Sequence, residues 1–383
     1  MNIELSDEQK MILAVAREFA EKEVRPIAAI IDHEARFPHD TVRRMGELGL
    51  MGIAIPEAYG GSGGDTVAYA MALEEVAKAC ASHAVIMSVN NSLYCDPVYK
   101  YGTEEQKGRF LTPFASGQKL GCFSLTEPEA GSDARNQNTL AARDGDHYVL
   151  DGRKIFVTNG REAQAALVFA QTDRAKGHRG ISAFLVEKGT RGFLVVKTED
   201  KLGIRASDTA EFLFENCRVP AANRLGEEGQ GFRIAMSALD GGRLGIAAQA
   251  LGIAAAAYEA SVAYARERKS FGVPIGQHQM VQWMLADMAV GLEAARVLTW
   301  RAAWLKDEGR PFGAEASMAK LFAAEAAMKI TTDAIQVHGG YGFIKEYPVE
   351  RHFRDAKITQ IYEGTSQIQK LVIARHLLAG TEA

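Results

Sequence analysis

The sequence predicts an α+β protein with three domains: an N-terminal helical domain (1–117), a central antiparallel β-barrel or sandwich (118–228) and a C-terminal four-helix bundle (229–383). Apolar residues recur at helical spacing as far as about residue 114. Short β-rich runs follow from Lys119 to Pro220, and an Ala-rich helical pattern resumes at Gly231. A chain of 383 residues also exceeds one ordinary core and suits two or three domains.

The N-terminal domain is predicted to begin with a capping box, because Gln9 follows Ser6 by three residues. The Gly-rich loop 59–65 is interpreted as a turn or helix cap. No G-x-G-x-x-G motif stands between a strand and a helix, which argues against a Rossmann nucleotide site. The further helices predicted here are Thr66–Ala79, Ala84–Tyr101 and Glu104–Phe114.

The central domain is predicted from short runs rich in β-branched and aromatic residues. The pairs Asp144-Gly145 and Asp151-Gly152 both separate such runs, and each is interpreted as a hairpin turn. The predicted strands are Gly121–Leu125, Asn138–Arg143, Tyr148–Leu150, Lys154–Val157, Ala166–Ala170, Ile181–Val186, Phe193–Thr198 and Ala210–Phe214.

The C-terminal domain is predicted from long helices that suit an antiparallel bundle. Its most apolar stretch, Leu244–Ala265, is built from Ala and Gly and interrupted by Gln249 and Glu259, so we expect a buried core helix and no membrane span. The predicted helices are Phe232–Arg268, Gln277–Glu308, Ala314–Val337 and Ser366–Leu378.

Composition and charge argue against several classes of function. Apolar residues make up 47% and charged residues 24%, an ordinary globular balance. A net charge of -4 offers no basic excess for nucleic acid. The four cysteines are far apart, which favours reduced thiols, and no metal site is expected. The first residues lack an export signal, so we expect a soluble cytoplasmic protein, with a processed mitochondrial form as the alternative.

Three segments are candidates for chemistry: 125–133, 154–160 and 361–367. The first two end β-runs with hydroxyls and turns, so each is either a polar loop or a site for the edge of a heterocycle. In the third, Glu363 precedes a helix that Thr365 or Ser366 can cap. Its carboxylate either complements the helix dipole or, desolvated and with no fixed cation beside it, serves as a base. Gly364 would let a substrate approach closely.

Taken together, these segments resemble the acyl-CoA dehydrogenase family over essentially the whole chain. Within the family the sequence is most similar to the short-chain, butyryl-type enzymes, through IMSVNNSLY (86–94) and LDGGRLGIAAQALGIA (239–254). The matching motifs are LTEPEAGSD (125–133), KIFVTNG (154–160), KLGIRASDT (201–209), RKSFG (268–272), QVHGGYGF (336–343) and YPVERHFRDAKITQIYEGTSQIQ (347–369).

The resemblance implies FAD as cofactor, with the Thr158 hydroxyl near flavin N5. It also implies that part of the FAD is held from a neighbouring subunit, hence a homotetramer built as a dimer of dimers. Phe156 stands where many members carry Trp, and Ser270 replaces a common Thr. The residues implied beside the flavin are Phe123, Leu125, Thr126, Phe156, Val157 and Thr158. Those implied from the neighbouring subunit are Arg268, Ser270, Phe271, Gln279, Gln336, Val337, His338, Gly339 and Gly340. Ser132, Thr365, Ser366 and Gln367 complete the cofactor set.

The resemblance further implies an acyl-CoA substrate. Glu363 would take the α-proton and the flavin the β-hydride, giving a trans-2-enoyl-CoA, and an electron-transfer flavoprotein would reoxidise the flavin. Family members differ in the position of the base, and the alternative position is Gly242, which has no side chain for it. The residues implied in substrate binding are Ser132, Asp240, Gly241, Gly242, Arg243, Tyr362 and Gly364.

Other functions remain open on the sequence. An acyl-CoA oxidase or a branched-short-chain dehydrogenase would share the fold. A glutaryl-type decarboxylating enzyme needs a cation at the end of the acyl pocket, and the stretch Ser88–Ser92 offers none. A helical binding protein without flavin is the alternative from a different class.

Overall fold

The computed structural model describes residues 4–379, and it is helical as far as Ala115. The predicted capping box is present: Ser6 Oγ accepts from Gln9 N at 3.1 Å, and Gln9 Oε1 accepts from Ser6 N at 3.0 Å. The helices of this part are α1 (Asp7–Phe19), α2 (Ala28–Glu34), α3 (His39–Glu47), α4 (Thr66–Ala79), α5 (Ala81–Ser88), α6 (Asp96–Tyr101), α7 (Glu104–Phe110) and α8 (Thr112–Ala115).

A π-helical segment, Val89–Cys95, joins α5 to α6, so the predicted helix over 84–101 is one continuous element. Two buried asparagines hold this segment in place. Asn90 donates to Met51 O at 2.8 Å and accepts from Gly121 N at 2.9 Å. Asn91 accepts from Ile53 N at 2.8 Å. Departures from regular α-helix of this kind occur often at functional sites.

The central part is an eight-stranded sheet in the order β6-β7-β3-β2-β4-β5-β8, with β1 paired to β4. The β1–β4 and β2–β4 pairings are parallel, so the predicted antiparallel pattern holds for most of the sheet but fails at these two pairings. The strands are β1 (Gly121–Ser124), β2 (Leu140–Asp144), β3 (His147–Thr158), β4 (Ala165–Gln171), β5 (Ile181–Glu187), β6 (Phe193–Thr198), β7 (Thr209–Pro220) and β8 (Arg224–Leu225).

One predicted hairpin is present and the other is wrong. Asp144-Gly145 turns the chain from β2 into β3, with Asp144 opposite His147. Asp151-Gly152 instead lies within β3, at a shift in register against β7 between Leu150 and Gly152. Gly152 lies at a β-bulge, so the predicted strands Tyr148–Leu150 and Lys154–Val157 are parts of the single strand β3.

The sheet curls over its own apolar core, to which β1, β2, β3, β4, β5 and β7 all contribute side chains. Its other face packs against the helices. There Leu167 and Phe169 of β4 share a second core with Tyr94 and Phe114 from the N-terminal helices and Ile234 from the helix that follows the sheet. The sheet and the helices on both sides of it in sequence therefore share one core along this face.

The C-terminal part is helical, as predicted, but contains one helix that the sequence analysis missed, α12. A two-residue hairpin, β9 (Lys269–Ser270) and β10 (Val273–Pro274), follows the longest helix. The helices are α9 (Gly231–Glu267), α10 (Gln279–Asp307), α11 (Gly313–His338), α12 (Val349–Thr359) and α13 (Ser366–Leu378).

The long helix α9 lies at the centre of the molecule, where it packs against α4, α10 and α11. Within residues 4–379 it is the one helix long and apolar enough to cross a membrane, with a mean hydropathy of 1.3. Yet 72% of its most apolar stretch is buried inside the protein, as predicted for a core helix. Its small residues let neighbouring helices approach closely: a Cβ on Gly252 would lie 2.4 Å from Glu74 O of α4.

Candidate active site

Glu363 lies in the turn 360–365, which connects α12 to α13. Its φ is +53° and that of Gly364 is +95°, so two successive residues adopt left-handed backbone. The predicted cap is present, because Thr365 Oγ1 accepts from Ile368 N at 3.3 Å. A left-handed Glu is strained and persists only where its surroundings fix it, and such residues cluster at functional sites.

The carboxylate of Glu363 lies directly over Gly242 of α9. A Cβ added to Gly242 would come within 2.0 Å of Glu363 Oε2 and 2.7 Å of Leu93 Cδ2. Oε2 is buried and has no hydrogen-bond partner among the described residues. The absence of a side chain at 242 therefore creates the space that the carboxylate fills, and the two positions predicted as alternative base sites share one location.

Burial raises the pKa of Glu363 to about 8, against the opposing charges of Lys320 and Arg243. These two cations correct the sequence analysis, which expected no fixed cation beside Glu363. Lys320, on α11, is fully buried and donates to Gly364 O at 2.7 Å. Arg243 is buried on α9 and bonds to Asp240 Oδ1. Desolvation still dominates, so the pKa of this carboxyl stays above its ordinary value.

Two polar side chains from α4 and α5 lie one turn along α9 from Gly242. Tyr69 OH donates to Ser88 Oγ at 3.0 Å, and both atoms lie where a Cβ on Gly245 would stand, at 2.6 Å and 2.3 Å. Burial raises the pKa of the Tyr69 hydroxyl, and the Glu363 charge adds to this. Beside Glu363, the Tyr362 hydroxyl donates to Gln249 Oε1. We call Glu363, Gly242, Leu93, Ser88 and Tyr69 the Glu363 pocket.

A second group of predicted residues meets where β1 and β3 end. We call it the Phe156 surface; its members are Phe123, Leu125, Thr126, Phe156, Val157 and Thr158. Ile155 N donates to Thr126 O at 2.9 Å, which joins its two segments. A register shift between Lys154 and Val157 gives Phe156 a φ of +57° and leaves its ring 62% exposed. The Thr126 and Thr158 hydroxyls make no hydrogen bond to any described residue.

A buried ion pair underlies the Phe156 surface. Lys154 Nζ donates to Glu127 Oε1 at 2.7 Å, Leu125 O at 3.0 Å and Gln137 Oε1 at 3.2 Å. Burial lowers the pKa of Lys154 to about 8 despite the Glu127 charge. Burial alone would raise the pKa of Glu127, but the Lys154 charge and the hydrogen bonds from Lys154, Asn138 and Thr139 together outweigh burial and leave that pKa below its usual value. The pair fixes segment 125–127 against β3.

A third group lies at the other end of α9. We call it the Arg268 surface: Arg268, Ser270, Phe271, Gln279 and residues 336–340. Phe271 is 95% exposed with a φ of +52°. Arg268 lies over the Tyr341 ring at 5.4 Å, and His338 stacks on Tyr264 at 4.3 Å. Among the described residues Arg268 forms no salt bridge.

The structure does not bring the Arg268 surface to the Glu363 pocket. Arg268 directly follows the last residue of α9 and is 26 residues from Gly242, about 39 Å at 1.5 Å per residue. The other predicted residues have simpler placements. Asp240 and Gly241 lie on α9 beside Gly242, Ser366 Oγ donates to Glu325 Oε1 at 2.7 Å, and Ser132 and Gln367 are exposed.

Sequence reasoning missed Lys320, the Lys154–Glu127 pair and the Tyr69–Ser88 pair. The sequence does indicate that Lys320 is buried, because it shares helical spacing with Ala316, Ala323 and Ala327 on the buried face of α11. A lone charge on an apolar stripe is seldom buried without a role. The other two pairs are separated by 27 and 19 residues and leave no comparable pattern.

Family models cover nearly the whole chain. Acyl-CoA dehydrogenase N-terminal, middle and C-terminal domains match residues 6–118, 122–217 and 229–378. The chain is 56% identical to the human mitochondrial short-chain specific acyl-CoA dehydrogenase over 98% of its own length and 92% of that protein's. It is 53% identical to the short-chain specific acyl-CoA dehydrogenase of Clostridium acetobutylicum, over 98% and 99% of the two chains. The butyryl-CoA dehydrogenase structure from Megasphaera elsdenii is 48% identical with a TM-score of 0.97, covering 99% and 100%. This chain therefore belongs to the acyl-CoA dehydrogenase family.

Proposed function

We propose that this enzyme, an acyl-CoA dehydrogenase, oxidises short-chain acyl-CoA to trans-2-enoyl-CoA with Glu363 as the base. One observation carries the proposal: the Glu363 carboxylate is buried over Gly242 with Oε2 unpartnered, so its burial leaves it ready to accept a proton. A buried carboxylate without a donor is costly unless a ligand or a reaction uses it.

FAD is the cofactor of this family, and the exposed Phe156 surface fits it. A flat heteroaromatic ring needs an apolar face and hydrogen-bond partners at its edge. The exposed Phe156 ring offers the face, and the unpaired Thr126 and Thr158 hydroxyls offer the partners. Arg268, exposed and without a salt bridge, suits the pyrophosphate. Residues 365–367 open α13, whose N-terminus favours anions.

The chain's own residues prepare the α-carbon of the thioester. Glu363 takes the α-proton, and its raised pKa brings its basicity close to working pH. The Glu363 N–H has no partner in the described chain, so it is free to donate to the thioester oxygen as negative charge develops. Leu93 and Tyr362 shield the site from water. When bound, FAD supplies the acceptor for the β-hydride.

A short acyl chain fits the Glu363 pocket. Gly242 and Gly245 are one helical turn apart on α9, and the Tyr69 hydroxyl and Ser88 Oγ occupy the space at Gly245. An acyl chain that extends along α9 from Gly242 meets these side chains within about 4.5 Å. The names of the human and clostridial relatives agree with short-chain specificity. A branched-chain preference is the alternative on the same geometry.

We also propose a homotetramer built as a dimer of dimers. The Arg268 surface is too far from the Glu363 pocket to serve one cofactor within the chain, so a second copy must bring the two together. A stripe of exposed apolar side chains on α10 would be covered by such a copy. It consists of Met280, Trp283, Val290 and Val297, the last three spaced by seven residues along one helix face.

The remaining expectations follow from the family. We propose an electron-transfer flavoprotein as the electron acceptor. We also propose domain boundaries at 117/118 and 228/229. A cytoplasmic or mitochondrial setting agrees with the bacterial and mitochondrial relatives. An acyl-CoA oxidase is the competing activity, and it differs by forming peroxide in air. A protein that is purified without flavin would support the alternative function, a helical binding protein without a cofactor.

Glu363→Gln tests the central assignment. The amide keeps the size of the side chain but removes its basicity, so FAD and butyryl-CoA should still bind while turnover falls by about 10²–10⁴-fold or more. Anaerobic addition of butyryl-CoA should leave the flavin oxidised. A variant whose flavin bleaches at nearly the parental rate would show that another residue is the base.

A further inference from the structure

Lys320 is a buried lysine with an unusual set of partners. Its side chain is fully buried on α11 and its Nζ donates to Gly364 O at 2.7 Å. No carboxylate within residues 4–379 lies within salt-bridge distance of it. Burial lowers the pKa of Lys320 to about 8. An ammonium buried without a carboxylate beside it destabilises a fold, so its presence points to a role outside stability.

The partner of Lys320 is the backbone that presents Glu363. Gly364 O also accepts from Gln369 Nε2 at 2.9 Å, and the same amide donates to Glu363 O at 3.1 Å. Two donors, one from α11 and one from α13, thus hold two successive left-handed residues. Strained backbone persists where several contacts fix it.

We propose that Lys320 is a positioning residue for Glu363: it holds the Gly364 carbonyl, and its positive charge stabilises the carboxylate form of the base over Gly242. The inference depends on the proposed role of Glu363. It assigns Lys320 no contact with substrate, because its one hydrogen bond is to the backbone.

Other charged and titratable groups also face Glu363. Arg243 acts from α9, where its charge is shared with Asp240. Glu325, on α11, faces Lys320 instead: its charge raises the pKa of Lys320, and its carboxylate accepts from Ser366 Oγ at 2.7 Å. The Tyr69 and Tyr362 hydroxyls have raised pKa values, so they stay neutral through the range in which Glu363 titrates. Among the described residues, the cations that act on Glu363 are Lys320 and Arg243, and of these two Lys320 has no carboxylate within salt-bridge distance.

The direction of the effect follows from charge. A nearby positive charge favours the ionised carboxylate, and an opposite charge at close range shifts a carboxyl pKa by about 1–3 units. Removing the Lys320 charge therefore raises the pKa of Glu363. In the parent, Lys320 and Glu363 have similar pKa values, so the two groups titrate as a coupled pair. In the variant, Glu363 should titrate alone and at a higher pH.

The test compares Lys320→Met, which removes charge and donor, with Lys320→Arg, which keeps the charge. Lys329→Met is the matched control, because Lys329 lies on the same helix with a 61% exposed side chain. Gln369 still donates to Gly364 O in the Met variant, so we expect a folded protein with an undiminished Tm. Infrared titration follows the Glu363 carboxyl band, identified by its absence in Glu363→Gln, and kcat/KM for butyryl-CoA is measured against pH.

We expect Lys320→Met to raise the infrared pKa of Glu363 by about one unit or more and to move the acid limb of kcat/KM to higher pH by the same amount. At a pH where Glu363 is fully ionised, a remaining loss of kcat reports the lost positioning. Lys320→Arg and Lys329→Met should titrate like the parent. An unchanged infrared pKa in the Met variant overturns the proposal. Activity retained in Glu363→Gln overturns the assignment of the base instead.

Discussion

Replacing Gly242 by alanine should displace the Glu363 carboxylate from its present position. The new Cβ would lie 2.0 Å from Glu363 Oε2 and 2.9 Å from its Cδ. Ordinary contact begins at about 3.4 Å, so the carboxylate must move by about 1.4 Å. Leu93 crowds the same position, because its Cδ2 would lie 2.7 Å from the new Cβ.

A displacement of this size is large for a proton transfer. A misplacement of about 1 Å in a reacting group can cost about 10²-fold in rate. We therefore expect kcat for butyryl-CoA to fall by about 10²-fold, measured with an artificial electron acceptor. Flavin content should stay at the parental level, since Gly242 belongs to neither the Phe156 surface nor the Arg268 surface.

Gly108→Ala is the control for a glycine-to-alanine change within a helix. Gly108 lies in α7 with open space around the added Cβ, so we expect unchanged activity and a gain of up to about 1 kcal/mol in unfolding free energy. If Gly242→Ala keeps kcat within about threefold of the parent, the carboxylate over Gly242 is not the reacting group. The geometric basis of the proposed function would then be wrong.

Three further outcomes are expected. Because burial raises the pKa of Glu363 to about 8 and a base acts when deprotonated, kcat/KM should fall as pH drops below about 8; a profile flat to pH 5 contradicts this. Arg268→Ala should lose FAD on dilution in high salt, seen by flavin absorbance, and full occupancy would exclude a pyrophosphate contact. Lys154→Met leaves Glu127 buried without its cation, so denaturant unfolding should show a loss of about 3–5 kcal/mol, and a neutral result would mean that Glu127 takes up a proton.

Residue types and their spacing along the chain predicted most of the elements. The helix Thr66–Ala79 and the strand Phe193–Thr198 have the predicted bounds. Helix α12 was missed, and it shows where prediction from apolar spacing fails. Its sequence, VERHFRDAKIT, is mostly charged and polar, and its inward side chains include Arg351, His352 and Asp355. Asp355 Oδ1 accepts from Ile204 N, so this helix is anchored by polar contacts that a search for apolar spacing does not detect.

Some residues of the candidate site could likewise be predicted from the sequence and others could not. Motifs predicted Glu363, the Thr126 and Thr158 hydroxyls and Arg268, because these residues lie in short segments with recognisable chemistry. The cations around Glu363 come from α9 and α11, 120 and 43 residues away in sequence, and only the fold places them there. Sequence reasoning therefore singled out the Glu363 carboxylate as a candidate but not the charged groups that act on its pKa.

The Glu363 turn also has to be stable enough to keep its shape. It combines left-handed backbone, an unpartnered carboxylate and a buried lysine, each of which costs stability. The surrounding helices supply the compensation, since the largest apolar core runs through α4, α9, α10 and α11 and is rich in alanine. Small side chains let these helices approach closely, so α9 and α11 hold the turn from two sides. A rigid, tightly packed bundle is thus the physical condition under which a carboxylate with a pKa of about 8 can remain in one position over Gly242.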